Sequence, residues 1–170
     1  MIKVRDFMST DPITTSPSTD VESLVRKMVL CGITGMPVVD ESGKLLGMIS
    51  IVDVIDSSYP TFKDFYENSL ALKDFSQMEE DILELRKHIV SEFMQKKVYF
   101  VRPEDPLIKA FSIMKTNNIG RVPVVEGEIV VGMVDTSDVF HGIIVEKLNL
   151  YVPIKDLYHN RTKSVKHKIE

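Results

Sequence analysis

One sequence feature constrains this chain more than any other: residues 4–40 recur, position by position, at residues 90–126. Phe7-Met8 returns as Phe93-Met94, Pro17 as Pro103, Met28 as Met114, Ile33 as Ile119, and Pro37-Val38-Val39 as Pro123-Val124-Val125. The turn DESGKLLG (40–47) is one residue longer than EGEIVVG (126–132). The match then resumes with Gly47-Met48 against Gly132-Met133 and Asp53-Val54 against Asp138-Val139. A length change confined to a turn is what a surface loop tolerates. Internal repetition of this kind decides the architecture before any single element is assigned.

Each copy reads as strand, helix, strand, strand, helix. Ile13-Thr14-Thr15 and Tyr99-Phe100-Val101 have strand composition and are stopped by Pro17 and Pro103. In the first copy Thr19 and Glu22 fit a capping box, and Val21, Leu24, Val25 and Met28 share one helical face. In the second, Asp105 is the expected cap, Pro106 the first helical residue, and Leu107, Ala110, Phe111 and Met114 the stripe. Gly32 and Asn117-Asn118 supply the helix ends. Hairpins follow, Val38-Val39 with Leu45–Ile49 and Val124-Val125 with Ile129–Val134, then helices from Ile51 and Thr136. A unit of ~50 residues is marginal alone, so two copies are expected to complete a shared core.

The expected organisation is a first repeat at 1–58, a helical insert at 59–89, a second repeat at 90–148 and a basic tail at 149–170. Residues 76–90 are expected to be helical. Ser76 and Glu79 form a capping pattern, Met78, Ile82, Leu85 and Ile89 a stripe, and the charges suit the helix dipole. This stripe packs either inside the chain or against a partner. The helix from Thr136 is expected to run through Val145 and Leu148.

Composition narrows the function classes. The chain is 44% hydrophobic and 27% charged, as in ordinary globular proteins. No stretch reaches a membrane span, and MIKVRDFMSTDP has no signal-peptide run, so a cytoplasmic protein is expected. The single cysteine, Cys31, makes neither an internal disulfide nor a zinc cluster and is expected to be buried. A net charge of −4 argues against broad nucleic-acid binding. Only the tail, with Lys155, Arg161, Lys163, Lys166 and Lys168, offers a local exception, and a solvated tail is the simpler reading. His88, His141, His159 and His167 have no metal-ligand spacing, and no nucleophile elbow, P-loop or GxGxxG occurs. We therefore expect no catalysis, no metal and no cofactor.

The repeated polar residues carry more. Gly47-Met48-Ile49 leads into Ser50-Ile51-Val52-Asp53, and Gly132-Met133-Val134 into Asp135-Thr136-Ser137-Asp138. Each stretch is a strand end and a helix start. Asp53 and Asp138 either complement the helix dipole or accept the two hydroxyls of a ribose. Their recurrence beside a glycine that permits close approach favours the second reading.

With these motifs the chain resembles the CBS domain family. GMISIVDV (47–54) and GMVDTSDV (132–139) resemble its closing motif, and ITTSP (13–17), GITGMPVVD (32–40) and NIGRVPVVE (118–126) its other two. The resemblance implies an α/β (α+β) fold of two β-α-β-β-α units packed with pseudo-twofold symmetry, and two clefts. It implies a regulatory sensor that binds AMP, ADP, ATP or S-adenosylmethionine, commonly as a homodimer, and signals to an effector protein. By the same resemblance Asp53 and Asp138 would hold ribose hydroxyls, and Ser50 and Ser137 ribose or phosphate. Arg121 would hold phosphate, and Thr14, Thr15, Met36 and Val122 would line adenine pockets. Asp135 departs from the family's usual Thr or Ser, and its carboxylate would repel a phosphate. Gly35 stands where the second copy has Arg121, so the two clefts are expected to differ. The competing readings are a structural or interaction module with vestigial clefts, and nucleic-acid binding through the tail.

Overall fold

The computed structural model describes residues 1–57 and 75–145, without the side chains of 75–78 and 145. The expected Ser76 cap, the Met78 contact, the 59–74 part of the insert and the basic tail lie outside the described residues. Among the described residues no helix is long and apolar enough to cross a membrane.

The chain enters through a 3-10 turn, Val4–Asp6, and a short strand β1, Ser9–Thr10. Helix α1 is Val21–Cys31, and strands β2, Gly35–Val39, and β3, Leu45–Ser50, form the first hairpin. Helix α2, Ile51–Asp56, closes the first unit. Helix α3, Phe75–Glu84, a 3-10 turn at Leu85–Lys87, and α4, Val90–Phe93, lead into the second. That unit contains α5, Leu107–Asn117, the hairpin of β4, Arg121–Glu126, with β5, Ile129–Asp135, and α6, Thr136–Phe140. The order expected from the repeat holds, and both hairpins carry their register shift at the same step, Val38/Val39 and Val124/Val125.

Several local expectations are corrected. The cap of α1 is Asp20, not Thr19: Asp20 Oδ1 accepts the Ser23 amide at 2.7 Å and Oδ2 its hydroxyl at 2.8 Å. The Ser23 amide, then the hydroxyl, holds the Asp20 carboxyl below its ordinary range. Thr19 faces back, accepting from Thr15 Oγ1 at 3.0 Å. Helix α5 has no side-chain cap, because Asp105 instead accepts the Arg102 amide at 2.8 Å and Lys109 Nζ at 2.9 Å. Leu107, Ala110 and Met114 are buried but Phe111 is 40% exposed, one residue and so ~100° round the axis from Ala110. Ile13–Thr15 and Tyr99–Val101 each make one parallel bridge, Thr15 to Val38 and Val101 to Val124, since a proline follows two residues on. Gly32, at φ 65°, ends α1 as expected, and Cys31 is buried.

Helix 76–90 is broken, and α6 gives way to a π turn at His141–Val145. At His88 and Ile89 the backbone turns extended, because it pairs with the start of α1. Val21 N donates to His88 O at 2.9 Å, and Val90 N to Thr19 O at 2.9 Å. Val90 is consequently buried, while Ile89 and Ile82 are 38% and 40% exposed.

That pairing exposes the main architectural fact: each repeat's leader segment belongs to the other repeat. Leu107 N donates to Ile2 O at 3.0 Å, the mirror of the Val21–His88 bond. Val4 and Phe7 sit in the core of the second unit, with Val101, Leu107, Val122 and Val134. Val90 sits in the core of the first, with Leu24, Met36, Val38 and Ile49. Strand β1 pairs with β5 through Ser9–Met133, and Gln95 pairs with Met48 in the same way. The hairpin tips also meet, with Leu45 N on Glu128 O at 3.0 Å and Lys44 Nζ on Glu128 Oε1 at 2.7 Å. The two units cannot separate without each losing part of its core.

Gly47 and Gly132 acquire their reason here. A Cβ on Gly132 would lie 2.6 Å from Ser9 O, and one on Gly47 2.9 Å from Gln95 O. Their close approach is to the crossed leaders, which corrects the expectation that they make room for a ligand.

Candidate functional site

The two strand-to-helix junctions are built alike but carry different chemistry. At the first, Ser50 caps α2: Asp53 N donates to Ser50 Oγ at 3.3 Å. Asp53 Oδ2 accepts Ser50 N at 2.7 Å and Ser50 Oγ at 2.5 Å. At the second, Asp135 takes the capping role. Its Oδ1 accepts Ser137 N at 2.8 Å, Ser137 Oγ at 2.5 Å and Asp138 N at 3.0 Å. Asp138 Oδ2 accepts Asp135 N at 2.8 Å, and Asp138 is 4% exposed. In both junctions the paired Asp therefore accepts the N-cap amide and serves the helix start. Asp53 is half-buried and reaches the surface.

Arg121 is the charge that distinguishes the two. Its Nη1 donates to Gly35 O at 3.3 Å and its Nη2 approaches Thr34 Oγ1 at 3.5 Å. Gly35 is the repeat equivalent of Arg121, so the guanidinium crosses from the second unit onto the first. Gly35 is the cross-strand partner of Ser50, and Thr34 O accepts the Ile51 amide at 3.0 Å. Arg121 and Thr34 thus stand beside the α2 start, where Ser50 and Asp53 bond each other. A fifth residue joins them: Gln95 Nε2 donates to Asp53 Oδ1 at 3.0 Å. Gln95 was not singled out from the sequence. Its signal was available, because it occupies the repeat position of Ser9 and breaks the match after Phe-Met.

The other candidates lie elsewhere. Thr14 and Thr15 line a cleft of about 440 Å³ with Ser16, Thr19, Ser23, Lys27 and the turn at Asp40. Lys27 Nζ donates to Thr14 O there at 2.7 Å. Neither Asp53 nor Asp138 lines this cleft. Met36 and Val122 are 1% and 0% exposed, each inside its unit's core. Tyr99 and Phe100 occupy the repeat positions of Ile13 and Thr14, 39% and 44% exposed, with Lys97 Nζ 5.6 Å from the Tyr99 ring centre. Among the described residues no group of His, Cys, Asp and Glu could hold a metal ion.

Two crossed, repeated α/β units with an Asp engaged at each hairpin-to-helix junction define a tandem pair, and comparison places it. The CBS domain profile matches residues 4–59 and 90–145, so the chain belongs to the CBS domain family. It is 30% identical over 154 residues to an uncharacterized protein of Methanocaldococcus jannaschii, covering 83% of this chain and 90% of that one. Among solved structures, the CBS-pair protein CBSX2, known from Arabidopsis thaliana, in complex with AMP superposes with a TM-score of 0.66. Identity is 23%, over 86% of this chain and 99% of that one. The CBS domain pair of a protein solved with 5′-methylthioadenosine and S-adenosyl-L-methionine gives 0.61 at 23% identity, over 88% and 96%. These two likenesses establish the fold.

Proposed function

We propose that this chain is a regulatory module whose main ligand is an adenine nucleotide bound at the Asp53 junction. The observation that supports this reading is the reach of Arg121, from the second repeat, to Gly35 O and Thr34 Oγ1, beside the α2 start where Ser50 and Asp53 bond each other. A carboxylate accepts a ribose diol, and a guanidinium pairs with phosphate. The solved pairs of the same fold that hold AMP, or methylthioadenosine with S-adenosylmethionine, support the ligand class. Asp135 and Asp138 give the second junction the opposite charge, so it disfavours phosphate and suits a neutral or cationic adenosyl ligand. Because the ligand would bridge crossed units, it favours whichever packing brings both sides to it, and an effector protein reads that packing. The chain acts as a sensor rather than a catalyst.

A second copy completes the assembly. Val29, Leu30, Ile108 and Phe111, 74%, 43%, 52% and 40% exposed, give α1 and α5 apolar outer faces. Light scattering should return twice the 19.3 kDa chain mass, and a monomer at high micromolar concentration would remove this part of the reading.

Titration calorimetry with AMP, ATP and S-adenosylmethionine tests the ligand. AMP or ATP should bind, and Asp53→Ala should weaken it about 30-fold, the usual effect of losing hydrogen bonds to a charged group. Arg121→Ala should weaken the nucleotides but spare S-adenosylmethionine. Absence of heat with all three at high micromolar concentration overturns the proposal.

A further inference from the structure

Asp53 has one more partner than its role at the helix start requires. Ser50 N and Oγ both donate to Oδ2. The other oxygen, Oδ1, accepts from Gln95 Nε2 at 3.0 Å. Gln95 is on the leader that crosses from the second repeat. Its backbone is pinned to β3, with Gln95 N on Met48 O at 2.8 Å and Met48 N on Gln95 O at 3.0 Å. Its side chain is exposed and touches the first unit through Asp53. The repeat supplies an internal control. The equivalent residue, Ser9, has a short side chain whose hydroxyl donates to Met133 O at 3.2 Å instead. The crossing is symmetric, but the carboxamide-to-carboxylate contact is a feature of the first junction.

We infer that Gln95 gates the Asp53 junction: its carboxamide takes one of the two acceptor sites on Oδ1, the oxygen left for a ribose diol, so ligand and crossed leader compete there. This rests on the proposed ribose role of Asp53 and adds its regulation. Two vicinal hydroxyls engage a carboxylate best when one donates to each oxygen. Oδ2 already accepts two bonds that hold the helix start, so the approach to Oδ1 decides affinity. A diol reaching Oδ1 displaces the Gln95 amide into solvent, where water satisfies it. The displaced side chain lies next to Lys96 and Lys97, both exposed on the same leader. Occupancy at Asp53 is therefore reported by the crossed leader, beside the exposed Lys96 and Lys97, without movement of the buried cores.

The test is AMP titration of the full chain, wild type against Gln95→Ala and Gln95→Leu. Both substitutions are at an exposed side chain and leave the backbone pairing with Met48 intact. The gate predicts about fivefold tighter AMP binding by both variants, the net worth of one ordinary hydrogen bond, because the exposed Gln95 amide regains water when it leaves Oδ1. It also predicts that saturating AMP moves the Gln95 side-chain amide resonances of the wild type to solvent-like positions. AMP binding by the wild type with unchanged or weaker affinity in both variants overturns the gate and leaves the Asp53 reading standing. Failure of wild type and both variants to bind overturns both. Measurable binding by the variants alone supports both.

Discussion

A chain lacking residues 1–10 is expected to lose its second repeat, not its first. The deletion is adjacent in sequence to α1, yet its side chains are not in the α1 core. Val4 and Phe7, 0% and 3% exposed, pack with Val101, Leu107 and Val134. Val4 N and Arg5 N donate to Asp105 O and Pro103 O at 2.9 and 3.0 Å, and β1 is the edge strand beside β5. Truncating one buried Phe costs about 3–5 kcal/mol, and the buried Val adds about 2. The sum approaches the whole stability of a typical domain, about 5–15 kcal/mol. Hydrogen exchange should show α5, β4 and β5 losing protection while α1, β2 and β3 keep theirs. Loss confined to the first repeat would contradict the crossed arrangement. The mirror segment offers the converse, because Val90 belongs to the first core.

The second large effect is expected at Gly132. Substitution by Val sets a branched side chain where a single Cβ already falls 2.6 Å from Ser9 O and 3.1 Å from Met8 Sδ. The first of these neighbours is backbone in a paired strand and cannot rotate aside. Overpacking of this kind costs about 1–3 kcal/mol, and displacement of β1 places Gly132→Val at the upper end. Gly47→Val meets Gln95 O at 2.9 Å and should be somewhat milder. Urea unfolding measures both. A midpoint unchanged for Gly132→Val would mean that β1 does not sit where the structure has it.

These two results rest on the part of the fold that the sequence conceals. Repetition, hairpins and helix stripes are local or periodic, so Leu24, Met28, Leu107 and Met114 are legible as core from spacing alone. Periodicity does not say which core a leader enters. Phe7-Met8 and Phe93-Met94 are visible as a matched pair, but their exchange depends on partners about a hundred residues away. The same blindness misassigned Gly47 and Gly132 to a ligand and kept residues 76–90 as one helix through His88 and Ile89. Tertiary pairing with Thr19 and Val21 overrides their helical preference. Capping was missed by one residue, since Thr19 and Asp20 are equally good by type and only the Thr15 contact separates them.

The candidate site was legible in its repeated residues and hidden in its cross-repeat ones. Asp53, Asp138, Ser50 and Asp135 stand at strand-to-helix junctions that the repeat reveals. Arg121 stands out in the sequence as an asymmetry, but its reach to Gly35 and Thr34 follows from the pseudo-twofold packing. Gln95 came only with the crossed leader. Thr14 and Thr15 line a cleft of their own with Lys27 and Asp40.

The most direct measurement is a crystal structure of the full chain grown with AMP. The expected density has the ribose hydroxyls on Asp53, the phosphate on Arg121, and the Gln95 carboxamide turned away from Asp53. Density in the Thr14–Lys27 cleft alone, or at neither place in crystals soaked at millimolar AMP, would contradict it.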